Sequence, residues 1–556
     1  MYLLPEFKPM ISTALRAYTV KKFTSDVFAG ITVGIIALPL AIAFAIASGM
    51  RPEAGVYTAI IGGFLVSAFG GSTVQIGGPA GAFIVIVYGV IEQYGVLNLQ
   101  LATMLAGVIL LVMGIFKVGA LIRHIPVSIV IGFTNGIAIL IGLSQIKDFL
   151  GLPGNEAPAE FISKIQYIIA NINNLNTQAV FVGVSCLFAI MLWPKSNVLH
   201  TRKIVSIMSR VPGTIVAVVI GVVMVRYLHL NIETIGTKFG GIPHTLPSIT
   251  MPYTGWQNVR NIIPPAITIA LLCSIESLLC ARVADSLTGE KHDSSQELIG
   301  QGIANFVVPL FGGFCVTGAI ARTVANIRSG AITPVSGIVH SLTLLFIVLV
   351  AAPLASDIPM ASLAAILLFV SYNMGEWRKF LEMRSYSNNY KVILLAVFIL
   401  TVTVDLSIAV EIGLVLSCIF FITRISSLTN LDIRDFCGGT VSVVRIRGSL
   451  FFGSVDKLDA VAEIDTDRVK VMIIDLSELL NIDTTGLEAL ENIHARMAKI
   501  GGNMILCCAP PQAMSLFRRS GFDIKLGHNN IYSTLNEAVS YSFDLVSDPP
   551  AIPIHS

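Results

Sequence analysis

Gln75-Ile76-Gly77-Gly78-Pro79-Ala80-Gly81-Ala82-Phe83 and Gly312-Gly313-Phe314-Cys315-Val316-Thr317-Gly318-Ala319-Ile320-Ala321-Arg322 decide how this chain folds. Each is a glycine-rich break in apolar sequence, and each leads into a short helix of about three turns. Backbone without helical hydrogen bonds is tolerated at membrane depth only when it is buried in protein or lines a cavity. A helix that starts there aims free N–H groups and partial positive charge at the space in front of it. The alternative reading, that each break is an ordinary glycine-rich packing segment, weakens once their placement is considered. Each lies third in a run of seven hydrophobic segments, the placement expected of an inverted repeat with a site at the membrane midplane.

The rest of the sequence supplies the membrane. Of 556 residues, 54% are hydrophobic and 13% charged, against about 25% charged in soluble domains. Mean hydropathy is +0.79. About fourteen hydrophobic segments are expected, several too short to span alone. They cover 26–48, 54–70, 79–91, 98–117, 125–146, 177–194, 211–229, 260–284, 296–312, 319–329, 334–352, 359–373, 389–404 and 406–427, the last two readable as one bent unit. The N-terminus lacks the short apolar core and small-residue cleavage site of a signal peptide, so the first segment is expected to be retained.

Basic residues set the orientation. Lys8, Arg16, Lys21 and Lys22 precede the first segment; Lys117 and Arg123, then Lys195, Arg202, Lys203 and Arg210, then Arg378, Lys379, Arg384 and Lys391 fill later connections. With fourteen segments all four groups fall on one side, which the excess of Lys and Arg marks as cytoplasmic. Both termini are therefore expected in the cytoplasm. Residues 1–25 form a cytoplasmic segment, 26–428 a transmembrane domain with repeats at about 26–229 and 260–428, and 440–548 a soluble α/β domain after a boundary near 428–440. In that tail, strands are expected at 441–447, 470–475 and 503–508, and helices at 486–498 and 534–543.

Several residues carry chemistry. Glu276 interrupts an apolar helix; a carboxylate at membrane depth marks an ion or proton pathway by default, or it is a structural carboxylate bonded to a neighbouring helix start. Arg322 adds charge to an anion site, pairs with Glu276, or faces a vestibule. Asp285, Asp405 and Glu411 sit at segment ends, where solvated or capping roles are expected. Asp483, Thr484 and Thr485 open a helix after a strand in the tail, as N-cap or as a regulatory loop. The eight cysteines, at 186, 273, 280, 315, 418, 437, 507 and 508, show neither C-x-x-C pairs nor metal-ligand spacing. They read as small buried hydrophobes, with no metal site expected. A phosphate-binding Gly-Lys-Ser/Thr loop and a nucleophile-base arrangement are both missing, so an enzyme is not expected. The net charge of +2 without a basic stripe gives no sign of nucleic acid.

These residues also carry a resemblance. DVFAGITVGIIALPLAIAFAIASG at 26–49, Pro52 to Tyr57 with Thr58-Ala59, Gly78-Pro79, IESLLC at 275–280 and AIARTVANI at 319–327 resemble the SulP family of anion transporters. The tail, with 474–476 and 483–486, looks like a STAS domain. The resemblance implies a polytopic α-helical fold of fourteen segments in 7+7 inverted repeats, like uracil permeases, in a bacterial inner membrane and as a homodimer. The implied substrate site takes Leu40, Phe44, Gly78, Ala80, Phe83, Gly318, Ala319, Ile320 and Arg322, with Glu276 and Cys280 for coupling. No cofactor is implied beyond a coupling proton or sodium. Partners are a small anion, membrane lipid and a candidate cytoplasmic protein at the STAS domain.

Departures from the family pattern shape the expectation. Cys280 and Ile320 stand where bicarbonate-carrying members use hydroxyls to hold sodium, and Ala80 where they have Thr. Ala54 and Val56 replace the usual Tyr and Leu. The changes at 80, 280 and 320 favour proton over sodium coupling. The nearest resemblance within the family is to the enterobacterial member that carries succinate and fumarate, which implies proton-coupled C4-dicarboxylate uptake by an elevator-like motion. Sulfate or bicarbonate transport, sodium-driven or not, is the alternative. A scaffold or sensor that recruits an enzyme through the STAS domain is a third reading.

Overall fold

The computed structural model describes residues 7–119, 126–154, 160–193, 213–241, 249–252, 256–404, 406–436, 439–458, 461 and 468–547. Arg123 and the basic group 195–210 lie outside them, as do Asp405 and Cys437. The chain divides into two compact units, Met1–Leu414 and Val415–Ser556.

Each of the fourteen expected segments contains a helix in the first unit or at its end. They are α1 (Val20–Ala47), α2 (Pro52–Phe69), α3 (Ile84–Tyr94), α4 (Val96–Ile115), α5 (Val127–Leu150), α6 (Thr177–Leu192), α7 (Gly213–Leu228), α8 (Trp256–Thr288), α9 (Ser294–Val307), α10 (Ile320–Arg328), α11 (Val335–Ala355), α12 (Met360–Met374), α13 (Asn388–Thr403) and α14 (Leu406–Leu428). Among the described residues six helices are long and apolar enough to cross a membrane by themselves: α1, α2, α4, α5, α8 and α14. A seventh is counted if α6 and the helix at Phe161–Asn174, bent by 114°, form one span. Segments 389–427 are two helices, not one bent unit.

Local chemistry sets the helix ends. α1 begins earlier than its apolar run because Thr19 caps it, accepting from Lys22 N–H at 3.3 Å. Asp293 caps α9, accepting from Ser295 and Gln296 N–H at 2.9 and 3.1 Å. α5 ends on Gly151 in the left-handed region, which glycine enters without a Cβ clash. α1 and α8 continue through Pro39 and through Pro264-Pro265; in membrane helices neighbours re-satisfy the backbone a proline frees.

Between α2 and α3, residues Gly77–Gly78 form β1; between α9 and α10, Thr317–Gly318 form β2. These two dipeptides, 240 positions apart in sequence, pair antiparallel, with Gly77 opposite Gly318 and Gly78 opposite Thr317.

The second unit is a sheet with helices on both faces. Its strands are β3 (Asn430–Phe436), β4 (Val441–Leu450), β5 (Val471–Asp475), β6 (Leu479–Ile482), β7 (Asn503–Cys507) and β8 (Ile531–Tyr532), with helices α15 (Thr484–Lys499), α16 (Pro511–Ser520) and α17 (Leu535–Ser547). The order is β3-β4-β5-β7-β8, and β6 pairs β4 beyond its bulge. Only β3 against β4 is antiparallel. Alternate side chains of β4, β5 and β7 pack to opposite faces: Val444, Ile446, Met472, Ile474 and Leu506 toward Leu490 and Phe517, and Val443, Val471, Ile473 and Ile505 toward Ala538. The sheet starts inside the expected linker, because Asn430–Phe436 is a polar edge strand with little apolar alternation to betray it.

Candidate functional site

The β1–β2 crossing is built from polar contacts that tie the two halves of the first unit. Ala319 N–H donates to Ile76 O at 2.9 Å. Ile76 N–H donates to Thr323 Oγ1 at 3.0 Å, and Asn326 Nδ2 donates to Val74 O at 2.9 Å. Gly318 is required by space: a Cβ there would lie 1.8 Å from Gln75 Nε2 and 3.2 Å from Cys280 Cβ. Gly78, at φ +152°, would place a Cβ 2.4 Å from Arg322 Nη1.

Two helix starts follow directly. Ala80 is the N-cap of the 3₁₀ turn Gly81–Phe83 that feeds α3, and Ala319 is the N-cap of α10; neither receives a side-chain cap. Alanine is a poor N-cap because it offers no acceptor. The first turn of α10 leaves the N–H groups of Ile320, Ala321 and Arg322 without intrahelical partners. Open helix starts brought to the same crossing can attract an anion through backbone alone.

The expected residues sort around this frame. Leu40 and Phe44 are buried on α1, and Phe44 lies against the turn at Gly81, where a Cβ would meet its Cε1 at 3.4 Å. Phe83 is fully enclosed, whereas Ile320 is 38% exposed. Arg322 does not pair with Glu276. It is 2% exposed, and its Nη2 donates to the Pro79 carbonyl while Nη1 has no partner. Its charge therefore lies behind the strand at Gly78. Glu276 is half-buried and, among the described residues, has no hydrogen-bond or ion-pair partner. Cys280 is buried, its thiol donating to Thr323 Oγ1 at 3.2 Å. The neighbouring hydroxyls are committed to the crossing: Thr317 Oγ1 donates to Cys273 O at 3.1 Å, and Thr323 Oγ1 accepts from Ile76 and Cys280.

Two buried acids escaped the sequence reading. Glu297, in the first turn of α9, has the structural role that Glu276 lacks: its carboxylate accepts from Gly71 N–H and Ser277 Oγ, both at 2.9 Å, and Gln301 Nε2 at 3.0 Å. Ser277 in turn accepts from Gln75 Nε2 at 2.9 Å, so this network reaches the crossing. The signal was the Asp293 cap with an acid in the following turn. Asp26 accepts from Ile332 N–H, Thr333 N–H and Thr333 Oγ1 at 2.8, 3.1 and 2.6 Å and fixes the loop before α11. Asp285 holds His292, at 2.6 Å.

A separate cavity of about 1080 Å³ is lined by residues such as Ile84, Tyr88, Leu140, Lys147, Lys164 and Glu411. No residue of β1, β2 or α10 lines it. Its lysines, 147, 164 and 238, are matched by Asp148, Glu160 and Glu411, so its charge does not single out an anion.

In the tail, Asp483 Oδ1 accepts from Gly486 N–H at 2.8 Å and its Oδ2 from Phe452 N–H at 3.1 Å. It caps α15 and ties the end of β4. Thr484 is exposed and Thr485 half-buried. Asp475 lies with Cys507 and Cys508, their ligand atoms within 4.8 Å of one another. Its oxygens are already used by Arg445 Nε at 2.6 Å and Ser477 N–H at 3.0 Å. Burial pushes this carboxyl up, but the hydrogen bonds from Ser477 and Arg445 outweigh burial and hold it below the usual carboxylate range.

Comparison with known proteins agrees with this fold. YvdB of Bacillus subtilis, which carries a sulfate-transporter name, is 40% identical over 95% of this chain and 99% of its own. The bicarbonate transporter BicA of Picosynechococcus is 30% identical over 85% of this chain and 86% of its own. The solved transmembrane domain of a cyanobacterial BicA matches with 32% identity and TM-score 0.62, covering 71% of this chain and 98% of that one. The murine SLC26A9 structure shares the fold at TM-score 0.83, with 18% identity over 97% of this chain and 94% of that one. These relatives carry sulfate and bicarbonate names, not the C4-dicarboxylate name expected from the sequence. The STAS domain profile matches residues 437–538 and the sulfate permease family profile residues 23–397, so the chain belongs to the sulfate permease family of membrane anion transporters.

Proposed function

We propose that this protein is a secondary active transporter of a small inorganic oxyanion, sulfate or bicarbonate, held between the helix starts at Ala80 and Ala319. The observation that carries the reading is the β1–β2 crossing, which brings two uncapped helix starts to one place. Backbone N–H groups and the field of Arg322 supply the attraction. The sulfate and bicarbonate names of YvdB and BicA favour an oxyanion over the C4-dicarboxylate of the sequence resemblance.

Glu276 carries a coupling proton in this reading. It is an acid at membrane depth without a partner, the situation that marks a proton or ion path. A sodium ion needs several oxygen ligands, and Ala80, Cys280 and Ile320 provide none from their side chains. Transport proceeds by an elevator-like displacement in a homodimer of a bacterial inner membrane, with both termini cytoplasmic. The STAS domain is a contact for a cytoplasmic protein through its Thr484 edge.

Uptake into proteoliposomes under imposed pH or sodium gradients tests the reading with labelled sulfate, bicarbonate and succinate. Sulfate or bicarbonate uptake that follows the pH gradient is expected, with Glu276→Gln removing that dependence. Uptake of succinate alone contradicts the substrate assignment. Sodium-driven uptake, or a Glu276→Gln variant that still follows the pH gradient, contradicts the coupling.

A further inference from the structure

Buried polar atoms without partners collect around the crossing. Arg322 Nη1, Gln75 Oε1, Asn326 Oδ1, Ser67 Oγ and both ring nitrogens of His340 are in this state. His340, on α11, is fully buried. Its surroundings are fixed by close approaches. A Cβ on Gly63 of α2 would lie 3.4 Å from His340 Nδ1, 3.2 Å from the Gly77 carbonyl oxygen of β1 and 2.9 Å from Ser341 Oγ. The next residue of β1, Gly78, rests on the Arg322 guanidinium. The acids of α1 and α2 are occupied elsewhere, Asp26 on Thr333 and Glu53 on Arg51 at 2.5 Å.

A buried polar group left without a hydrogen bond costs about 1–3 kcal/mol, and such groups are normally met by protein or ordered water. The two orphans here are chemically complementary. A guanidinium only donates, and a neutral imidazole offers one acceptor and one donor. A buried water with polar partners on two sides serves as a bridge between them.

We propose that His340 is a positioning residue for the anion site. As a neutral imidazole it accepts, through a buried water, the hydrogen bond of Arg322 Nη1 and holds the guanidinium behind Gly78. With Pro79 O fixing Nη2 and His340 fixing Nη1, the charge stays directed at the two helix starts. Without the imidazole, the guanidinium keeps one anchor and its charge is free to swing from the crossing. The proposal rests on the reading that the anion binds there.

Two measurements on the purified full-length chain test it. The first is thermal stabilisation by sulfate and by bicarbonate. His340→Leu is expected to weaken the apparent affinity roughly tenfold, about 1.4 kcal/mol, while His340→Gln, which keeps an acceptor and a donor, stays near wild type. Wild-type affinity in His340→Leu overturns the proposal, as does a His340→Gln variant that melts normally but binds as weakly as His340→Leu. The second is a density map that resolves waters in the unliganded wild type. Density bridging the His340 ring and Arg322 Nη1 is expected, and its absence overturns the proposal even if His340→Leu does not fold. If neither anion stabilises the wild type, the site reading fails, and the map alone decides the fate of His340.

Discussion

The protein builds a strand-to-helix junction in each of its two units and finishes them in opposite ways. In the tail, β6 runs into α15 through Asp483, whose carboxylate fills the helix start. In the membrane unit, β1 and β2 run into helices through Ala80 and Ala319, which fill nothing. The tail spends its strands on stability, pairing them into a sheet covered on both faces by aliphatic side chains. The membrane unit pairs two residues with two, enough to bring the helix starts together. An acceptor at the junction closes it, and an alanine leaves the helix start without a side-chain cap.

The largest effect is expected from breaking the crossing. Gly318→Val places carbon where Gln75 Nε2 now lies, 1.8 Å from the Cβ position. Anion uptake is expected to fall to background, measured in proteoliposomes at matched protein insertion. A sharper change makes the membrane junction resemble the tail one. Ala319→Asp supplies the missing cap, so its carboxylate competes with the substrate for the same N–H groups. Anion affinity is expected to drop by roughly a hundredfold, about 2.7 kcal/mol, with the melting temperature of the membrane unit maintained or raised.

The tail offers smaller effects in the opposite sense. Asp475 has its pKa held below that of an unfolded chain. Its contribution to stability is present above the unfolded value of about 3.9 and is lost as pH falls through the lower native value. Tail unfolding followed by circular dichroism is expected to show that acid loss, and Arg445→Met is expected to move it to higher pH. Asp483→Ala removes the cap of α15 and is expected to cost about 1 kcal/mol of tail stability while leaving anion affinity at the crossing unchanged.

The sequence revealed this contrast unevenly. The two glycine-rich breaks announced themselves by composition and by their matching places, and all fourteen segments were visible as apolar runs. The tail helix at Thr484–Lys499 was visible through its cap and periodicity. β3 and β8 were not: one is a polar edge strand and the other two residues long, so neither carries a period. Glu297 and Asp26 were passed over because a carboxylate that ties one segment to another looks like any acid near a helix end until its donors are known. Arg322 was legible as a charge near the site but not as a charge behind it, since that depends on Gly78 and on the Pro79 carbonyl across the crossing. His340 gave no signal at all, a lone histidine in an apolar helix being an ordinary core residue until its neighbours are seen.

The proposed placement of the anion is between the starts of the third and tenth helices. It is tested most directly by a structure of the chain soaked with selenate, whose anomalous signal locates the ion. A peak is expected within hydrogen-bonding distance of the backbone N–H groups of Gly81, Ala82 and residues 320–322, the Phe83 N–H being held by Ala80 O at 3.1 Å. A peak instead among Lys147, Lys164 and Glu411, in the separate cavity, would contradict it.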